Sequence, residues 1–414
     1  MNVLPTPTSI DGALGWVRQH LAHLSLEQDA TEITASSAFI GGQTAADAAL
    51  ERFNVAGYAA RRNEVWPESR RGASRLSPWI RHGFITLQQA WDHVGNGPAR
   101  DVEKFRDELA WQEYARHVYA RVGSALAEPL RYQAPVSATG QDPWPREMAC
   151  MDLTLTELHR DGWLVNQTRM WLASQWTVRH GADWRAGEQL FWAHLLDGSR
   201  AANRLGWQWT VGTGNGRPYG FSRQQVVKRA PGVCSSCALQ RCCPIESWPS
   251  SDPTPSVVDQ HPGLRADQNP ARTAGPGAVN SPTGEAPQTV WMTMESLGDD
   301  DPALVANPGL PVHVVFDGPL LSRLHPSGKR LVFFAQSLAD LAQRREVVVC
   351  LGDPVSELAG LPLAATFTPV PGWRRRSAGL DLVQIHPWPW LARPHPGPVT
   401  SFSAWRAKAR FPSR

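Results

Sequence analysis

The segment Asp197-Gly198-Ser199-Arg200-Ala201-Ala202-Asn203-Arg204-Leu205-Gly206-Trp207-Gln208-Trp209 decides how the first half of this chain is read. It lies in a region, Gly12 to about Lys228, that reads as helices throughout. Apolar residues recur there at three- and four-residue spacing, as in Phe105-Leu109-Tyr114-Val118 and Met151-Leu155-Leu158, between short Gly and Pro breaks. One large α-helical domain is expected. The segment also carries two indoles, in a chain with 19 tryptophans against 5 tyrosines. Tryptophan is ordinarily the rarest aromatic residue, so the surplus points to indoles used for stacking or electron transfer.

Outward from this region the composition changes twice. From Ser247 to Gln288 the chain is Pro, Ser, Gly, Asp and Thr with almost no aliphatics, too little to offset the entropy of ordering. A flexible, disordered linker over 247–288 is the expectation. Beyond it, Val290-Trp291-Met292, Val312 to Phe316 and Val347 to Leu351 are short β-rich runs, with a helical stretch from Leu331 to Arg345 between the last two. That alternation predicts a small α/β domain on a parallel sheet. The expected architecture is therefore a mainly α domain over 1–246, the linker, and a doubly wound α/β domain over 289–414. A chain of 414 residues suits two domains plus a linker. The start, Met1 to Ser9, has no basic stretch followed by an apolar run, and nowhere do eighteen apolar residues follow one another. A soluble, cytoplasmic monomer with no membrane partner is expected. The formal charge of +3 tolerates nucleic acid without requiring it.

Ahead of the opening segment stand three other stretches. Gly72-Ala73-Ser74-Arg75-Leu76-Ser77-Pro78 puts hydroxyls and backbone amides at a turn before a helix, where free donors suit a phosphate and where serine is also an ordinary cap. Glu108-Leu109-Ala110-Trp111 and Asn166-Gln167-Thr168-Arg169-Met170 follow, and Gly212-Thr213-Gly214 comes after. In this order, over about residues 40 to 230, the sequence resembles the FAD-binding domain of DNA photolyases and cryptochromes.

The resemblance implies FAD as cofactor. Tyr58 and the turn of Ala73, Ser74, Arg75, Leu76 and Ser77 would hold its phosphates. Asn166, Gly198 and Ser199 would complete the flavin site, with Asn203 facing the reactive ring nitrogen. Arg169 and Asp197 would pair beside the ring, where a buried ion pair costs less than either charge alone and sets a cation near a ring that accepts negative charge. Glu108, Trp111, Met170 and Trp209 match residues lining a pocket for a flipped pyrimidine dimer; an indole can stack on an extruded base, and a carboxyl can donate a proton or hydrogen bond to it. Trp207 and Trp184 match the first two indoles of a photoreduction chain, with only Tyr132 near the third position. Tryptophans at helical spacing are also ordinary core residues.

This chain departs from the pattern at several positions. Ala73 stands for a usual threonine and Ser199 for an aspartate. Gln112 and Gln167 replace arginines common in repair enzymes, which weakens the expected phosphate grip. The leading expectation is a light-driven lyase repairing pyrimidine dimers in damaged DNA. A flavin photoreceptor without repair activity is the alternative, and a non-flavin nucleic-acid binding protein braced by a metal is a third.

Six cysteines are too few for a disulfide scaffold, and five fall before residue 244. Cys234-Ser235-Ser236-Cys237 followed by Cys243-Pro244 is a compact thiolate pattern. Cys150, in Met148-Ala149-Cys150-Met151, supplies a fourth, since Cys242 beside Cys243 would strain a shared site. Four thiolates suit a [4Fe-4S] cluster or a structural zinc, and spacing does not separate them. The pattern is similar to that of the iron-sulfur bacterial cryptochromes and photolyases, which implies the cluster. Cys350, in an apolar run, reads as a core thiol.

The region after the linker resembles the photolyase α/β antenna domain through Val290-Trp291, Asp300 to Leu304, Val315-Phe316-Asp317, Phe333 to Leu341, Leu351 to Pro354 and the exit Phe402-Ser403-Ala404-Trp405. That domain comes first in the family, so the order here is swapped. Thr293, Met294, Glu295 and Ser296 replace a usual basic run, and an antenna chromophore stays unassigned.

Overall fold

The computed structural model describes residues 1–134, 136–137, 142–247 and 256–412. The helical region forms as its periodicity predicts. Its longest helix, Ala99–Val122, buries Val102, Phe105, Leu109, Tyr114 and Val118 on one face and stops at Gly123, whose φ of 58° is open to glycine. In its first turn the Asp101 carboxylate accepts from the backbone of Gly57 and of Ala59, both at 2.8 Å. Those bonds hold its carboxyl below the usual range and lock the short Tyr58–Arg61 helix against the long one. Helices Asn166–Ser174, Trp184–His194 and Arg200–Val211 pack together beside it. Between the first two, Gln175–Arg179 makes a turn of π-helix, which re-aims the side chains it carries.

The C-terminal region builds a six-stranded sheet: β1 (Val3–Leu4), β2 (Thr289–Met292), β3 (Val312–Asp317), β4 (Val347–Gly352), β5 (Leu363–Thr366) and β6 (Leu382–His386), in the order β1-β4-β3-β2-β5-β6. Strands β2 to β6 are parallel, and the chain direction across them reverses between β2 and β5, as in doubly wound sheets. Alternate residues serve two cores: Val290, Met292, Val314 and Val349 face the helical region, while Trp291, Val315, Cys350 and Ala365 face Leu358, Trp373 and Trp388. Cys350 is fully buried, as a core thiol should be.

The sequence reading missed the part played by the chain's start. Val3 and Leu4 pair antiparallel with Cys350 and Val349 and cover the β4 edge. The Ala13–His20 helix then packs on Gly328–Leu341, and the Trp16 ring lies 5.9 Å from that of Phe316. Both ends of the chain thus build one α/β layer.

The expected linker also differs. Residues 248–255 lie outside the described residues, but residues 256–288 form a docked strap. Leu264, Thr273 and Ala274 are buried in it. Asp267 pairs with Arg121 at 3.4 Å, Arg121 donates to the carbonyls of Gly263 and Gly397, and Trp390 Nε1 donates to the Ala274 carbonyl at 2.9 Å. A composition poor in aliphatics hides such anchoring, because most of it comes from polar groups supplied by other elements. No helix among the described residues is long and apolar enough to cross a membrane.

Candidate flavin and substrate site

A cavity of about 1160 Å³ opens between the helices and the carboxyl ends of the strands, at or beyond the upper end of ordinary ligand pockets. Its helical wall carries the residues assigned to FAD. Tyr58 begins its short helix behind Gly57, packed edge-on to Phe105. Burial, and then the nearby Glu108 carboxylate, push the Tyr58 hydroxyl above its ordinary value. Ala73, Ser74, Arg75 and Ser77 line the cavity from the turn before the Ser77–Arg81 helix. Arg75 takes a left-handed φ of 60°, and its guanidinium lies 5.0 and 5.2 Å from the ring centres of Phe39 and Trp163. Trp163 Nε1 donates to Ser77 Oγ at 2.9 Å. Leu76 and Gly198 do not line the cavity. Leu76 is a core residue, and the Gly198 carbonyl accepts from Arg81 and Arg330.

Arg169 donates to Asp197 Oδ2 at 2.7 Å and to the Leu164 carbonyl at 3.0 Å. The other carboxylate oxygen, Asp197 Oδ1, is buried with no protein partner, and so is Asn203 Nδ2. Both residues line the cavity, as do Asn166 and Ser199, whose hydroxyl caps the Arg200–Val211 helix by accepting from the Ala202 amide. A buried amide donor and carboxylate acceptor without partners are costly unless a ligand satisfies them. An isoalloxazine, with ring acceptors and an N–H donor, fits that requirement.

The rest of the helical wall differs in character. Trp111 and Trp209 are 41% and 47% exposed, far more than the core indoles, and share the cavity with Glu108, Gln112 and Met170. Arg62 and Lys104 stand 3.1 and 3.0 Å from Glu108. Gln167, placed with the DNA-contacting residues on sequence, does not reach the cavity: it is buried, and its amide donates to Tyr219 Oη at 3.0 Å.

The strand ends add Met292, Thr293, Met294, Glu295 and Asp317 to the same cavity. Arg81 donates to Glu295 at 2.7 Å. Burial works to raise the Glu295 carboxyl, but Arg81, His82 and Arg116 outweigh it and hold it below its ordinary value. The acidic residue that replaces the expected basic run thus ties the two parts of the chain.

Trp207 is buried, and its ring neighbours are Phe191 at 5.0 Å and Trp176 at 6.4 Å; Trp144 stacks obliquely on Trp176 at 4.7 Å. Trp176 sits in the π-helical turn. A methyl group on Gly187 would come within 2.2 Å of the Trp207 ring, so glycine makes room for the indole. Trp184 is buried in the same core, with Arg185 over its ring. Tyr132 lies away from this array, bridging to Val257 of the strap. Trp144 and Trp176 were missed on sequence, where only the tryptophan surplus hinted at them.

The four cysteines Cys150, Cys234, Cys237 and Cys243 line one small cavity with Met148, Val233 and Pro244, and Cys242 is exposed outside it. Burial, and then Cys234, Cys237 and Cys243, push the Cys150 thiol up to about 12. The donor set fits a thiolate-bound metal. As placed, though, no group of three or more His, Cys, Asp or Glu among the described residues has metal-binding geometry.

Residues 105–230 match the family model of the FAD binding domain of DNA photolyase. The helical region is similar to that of DNA photolyases. The deoxyribodipyrimidine photo-lyase of Synechococcus sp. is 33% identical over 197 residues, covering 42% of this chain and 39% of that protein. That of Thermus thermophilus is 31% identical over 239 residues, covering 53% and 54%. The chain thus spans about half the length, or less, of these curated relatives. Among solved structures, a class III photolyase from Agrobacterium tumefaciens shares 26% identity with a TM-score of 0.35, covering 41% of this chain and 37% of that one.

Proposed function

We propose that this chain binds FAD in the large cavity and acts as a light-driven deoxyribodipyrimidine photo-lyase, splitting pyrimidine dimers in DNA. The observation that carries the reading is the meeting, in one cavity, of unpartnered buried groups on Asp197 and Asn203 with two half-exposed indoles, Trp111 and Trp209. FAD, when bound, supplies light-driven one-electron chemistry. Asn203 Nδ2 donates to the ring, Arg169 and Asp197 set the charge beside it, and the turn of Ala73 to Ser77 takes the phosphates. Trp111 and Trp209 stack on the flipped bases, Met170 packs against them, and Glu108, held by Arg62 and Lys104, hydrogen-bonds their edges. An electron from an external reductant such as a thiol would pass Trp144, Trp176 and Trp207 in that order, Trp207 being the one of the three that lines the cavity.

We further propose that Cys150, Cys234, Cys237 and Cys243 hold a [4Fe-4S] cluster that braces the end of the helical domain, with zinc as the alternative. Apart from β1 and the Ala13–His20 helix, which join the α/β layer, the helical domain comes first and the antenna-like domain second, reversing the family order.

One observation favours a flavin photoreceptor without repair. Gln112 and Gln167 stand where repair enzymes carry arginines, and Gln167 is tied inward to Tyr219. Illumination of the full chain with an oligonucleotide carrying one thymine dimer separates the two. Restored thymines that depend on light support the lyase; flavin photoreduction with the dimer intact supports the receptor.

A further inference from the structure

The C-terminal tail reaches the proposed substrate wall from outside the helical domain. The Phe402 ring lies on Trp111 with centroids 4.0 Å apart and planes at 9°, a face-to-face stack. Tyr114 meets both rings edge-on, Trp111 at 5.7 Å and Phe402 at 5.8 Å. Two hydrogen bonds and a buried indole fix the tail on the Ala99–Val122 helix. Tyr114 Oη donates to the Val399 carbonyl at 3.0 Å, Trp405 is fully buried, and Trp405 Nε1 donates to His117 Nδ1 at 2.8 Å.

Trp111 lines the cavity and Phe402 does not. The tail therefore backs the indole and does not plug the pocket. An exposed tryptophan on a helix has several staggered rotamers open to it. A stacked neighbour adds about 0.5–1.5 kcal/mol to the arrangement it favours, enough to select one. We propose that Phe402 is a positioning residue for substrate recognition: it holds the Trp111 indole so that its other face stays presented to the cavity for a flipped base. This rests on the reading of Trp111 as a stacking residue. It also gives the end of the chain a part in a site built otherwise from residues 58–210 and the strand ends.

The test is binding in the dark, by fluorescence anisotropy, of a single-stranded oligonucleotide with one thymine dimer and of its undamaged counterpart, to the full chain and its variants. Phe402→Ala should lower the preference for the dimer about two- to tenfold and leave affinity for undamaged strand unchanged. Phe402→Tyr, which keeps a planar ring, should restore it. Trp111→Ala should lose the preference, and adding Phe402→Ala to it should cost nothing more. If Phe402→Ala fails to fold, Phe402→Leu, apolar but without a planar face, carries the same prediction. A wild-type preference in Phe402→Ala or Phe402→Leu alongside a loss in Trp111→Ala overturns the role of Phe402 alone, as does an additive double variant. An unimpaired Trp111→Ala overturns the reading of Trp111 and this proposal with it.

Discussion

Arg169 reaches Asp197 with a single short bond, to Oδ2 at 2.7 Å, and leaves Oδ1 buried in the cavity wall without a partner. An ion pair serving only stability would gain from a bidentate fork. Here one oxygen is held back, in the lining of the same cavity as an equally unpartnered Asn203 Nδ2. Asp197→Ala should therefore do two things. It should release flavin during purification, and it should lower stability by up to about 3 kcal/mol, the low end for breaking a buried pair because Arg169 is 23% exposed. Asn203→Ala should change flavin photoreduction while moving the urea midpoint little. Equal loss of both properties in Asn203→Ala would make it a packing residue.

Light-driven bleaching of oxidised flavin in the presence of an external thiol checks the indole array. Trp176→Phe and Trp144→Phe should each slow it several-fold, and more than Trp184→Phe, because Trp176 and Trp144 continue the ring contacts of Trp207. Circular dichroism should show all three variants folded, each keeping an aromatic ring in the core at some cost in stability for the smaller volume. A stronger effect from Trp184→Phe would return the route to the residue matched by resemblance.

The cysteines make a separate prediction. Alanine at Cys234 or Cys237 should abolish bound iron and the broad visible absorption of a cluster, leaving flavin bands in place, and should lower the thermal midpoint because metal binding is coupled to folding. Zinc in place of iron, found by elemental analysis, would select the structural-metal alternative.

Acid should weaken the fold through His194. Its ring lies 4.6 Å from that of His159, and burial first, then His159 and Lys329, push it down to about 3. The folded state thus resists a proton that the unfolded chain accepts near 6.5. The stability this contributes is present above about pH 6.5 and is lost progressively as pH falls towards 3. By pH 5 the loss from this group is about 2 kcal/mol relative to pH 7. Urea midpoints for wild type and His194→Gln across that range measure it, and the variant should show the shallower decline.

What could be read from sequence alone follows from where the interactions lie. The helical domain shows itself because burial recurs every three or four residues, as along Phe105, Leu109, Tyr114 and Val118. Tyr58, Glu108, Arg169, Asp197 and Asn203 were placed by an ordered resemblance, and one cavity holds them all. Strand β1 has two residues and so no periodicity, and only its pairing with β4 defines it. Trp144, Trp176 and Trp207 meet through tertiary packing around a π-helical turn, and the strap over 256–288 is held by Arg121 and Trp390 from elsewhere in the chain. Gln167 was misplaced because a residue's position on a helix does not say which neighbour its amide takes.

The most direct test of the account is the absorption spectrum of the anaerobically purified protein, with chromatography of the cofactor released by acid. One FAD per chain, reduced in amount by Asp197→Ala, is the predicted result. A colourless protein that takes up no flavin on incubation with excess FAD would contradict it, and would leave the cavity and its indoles to some other ligand.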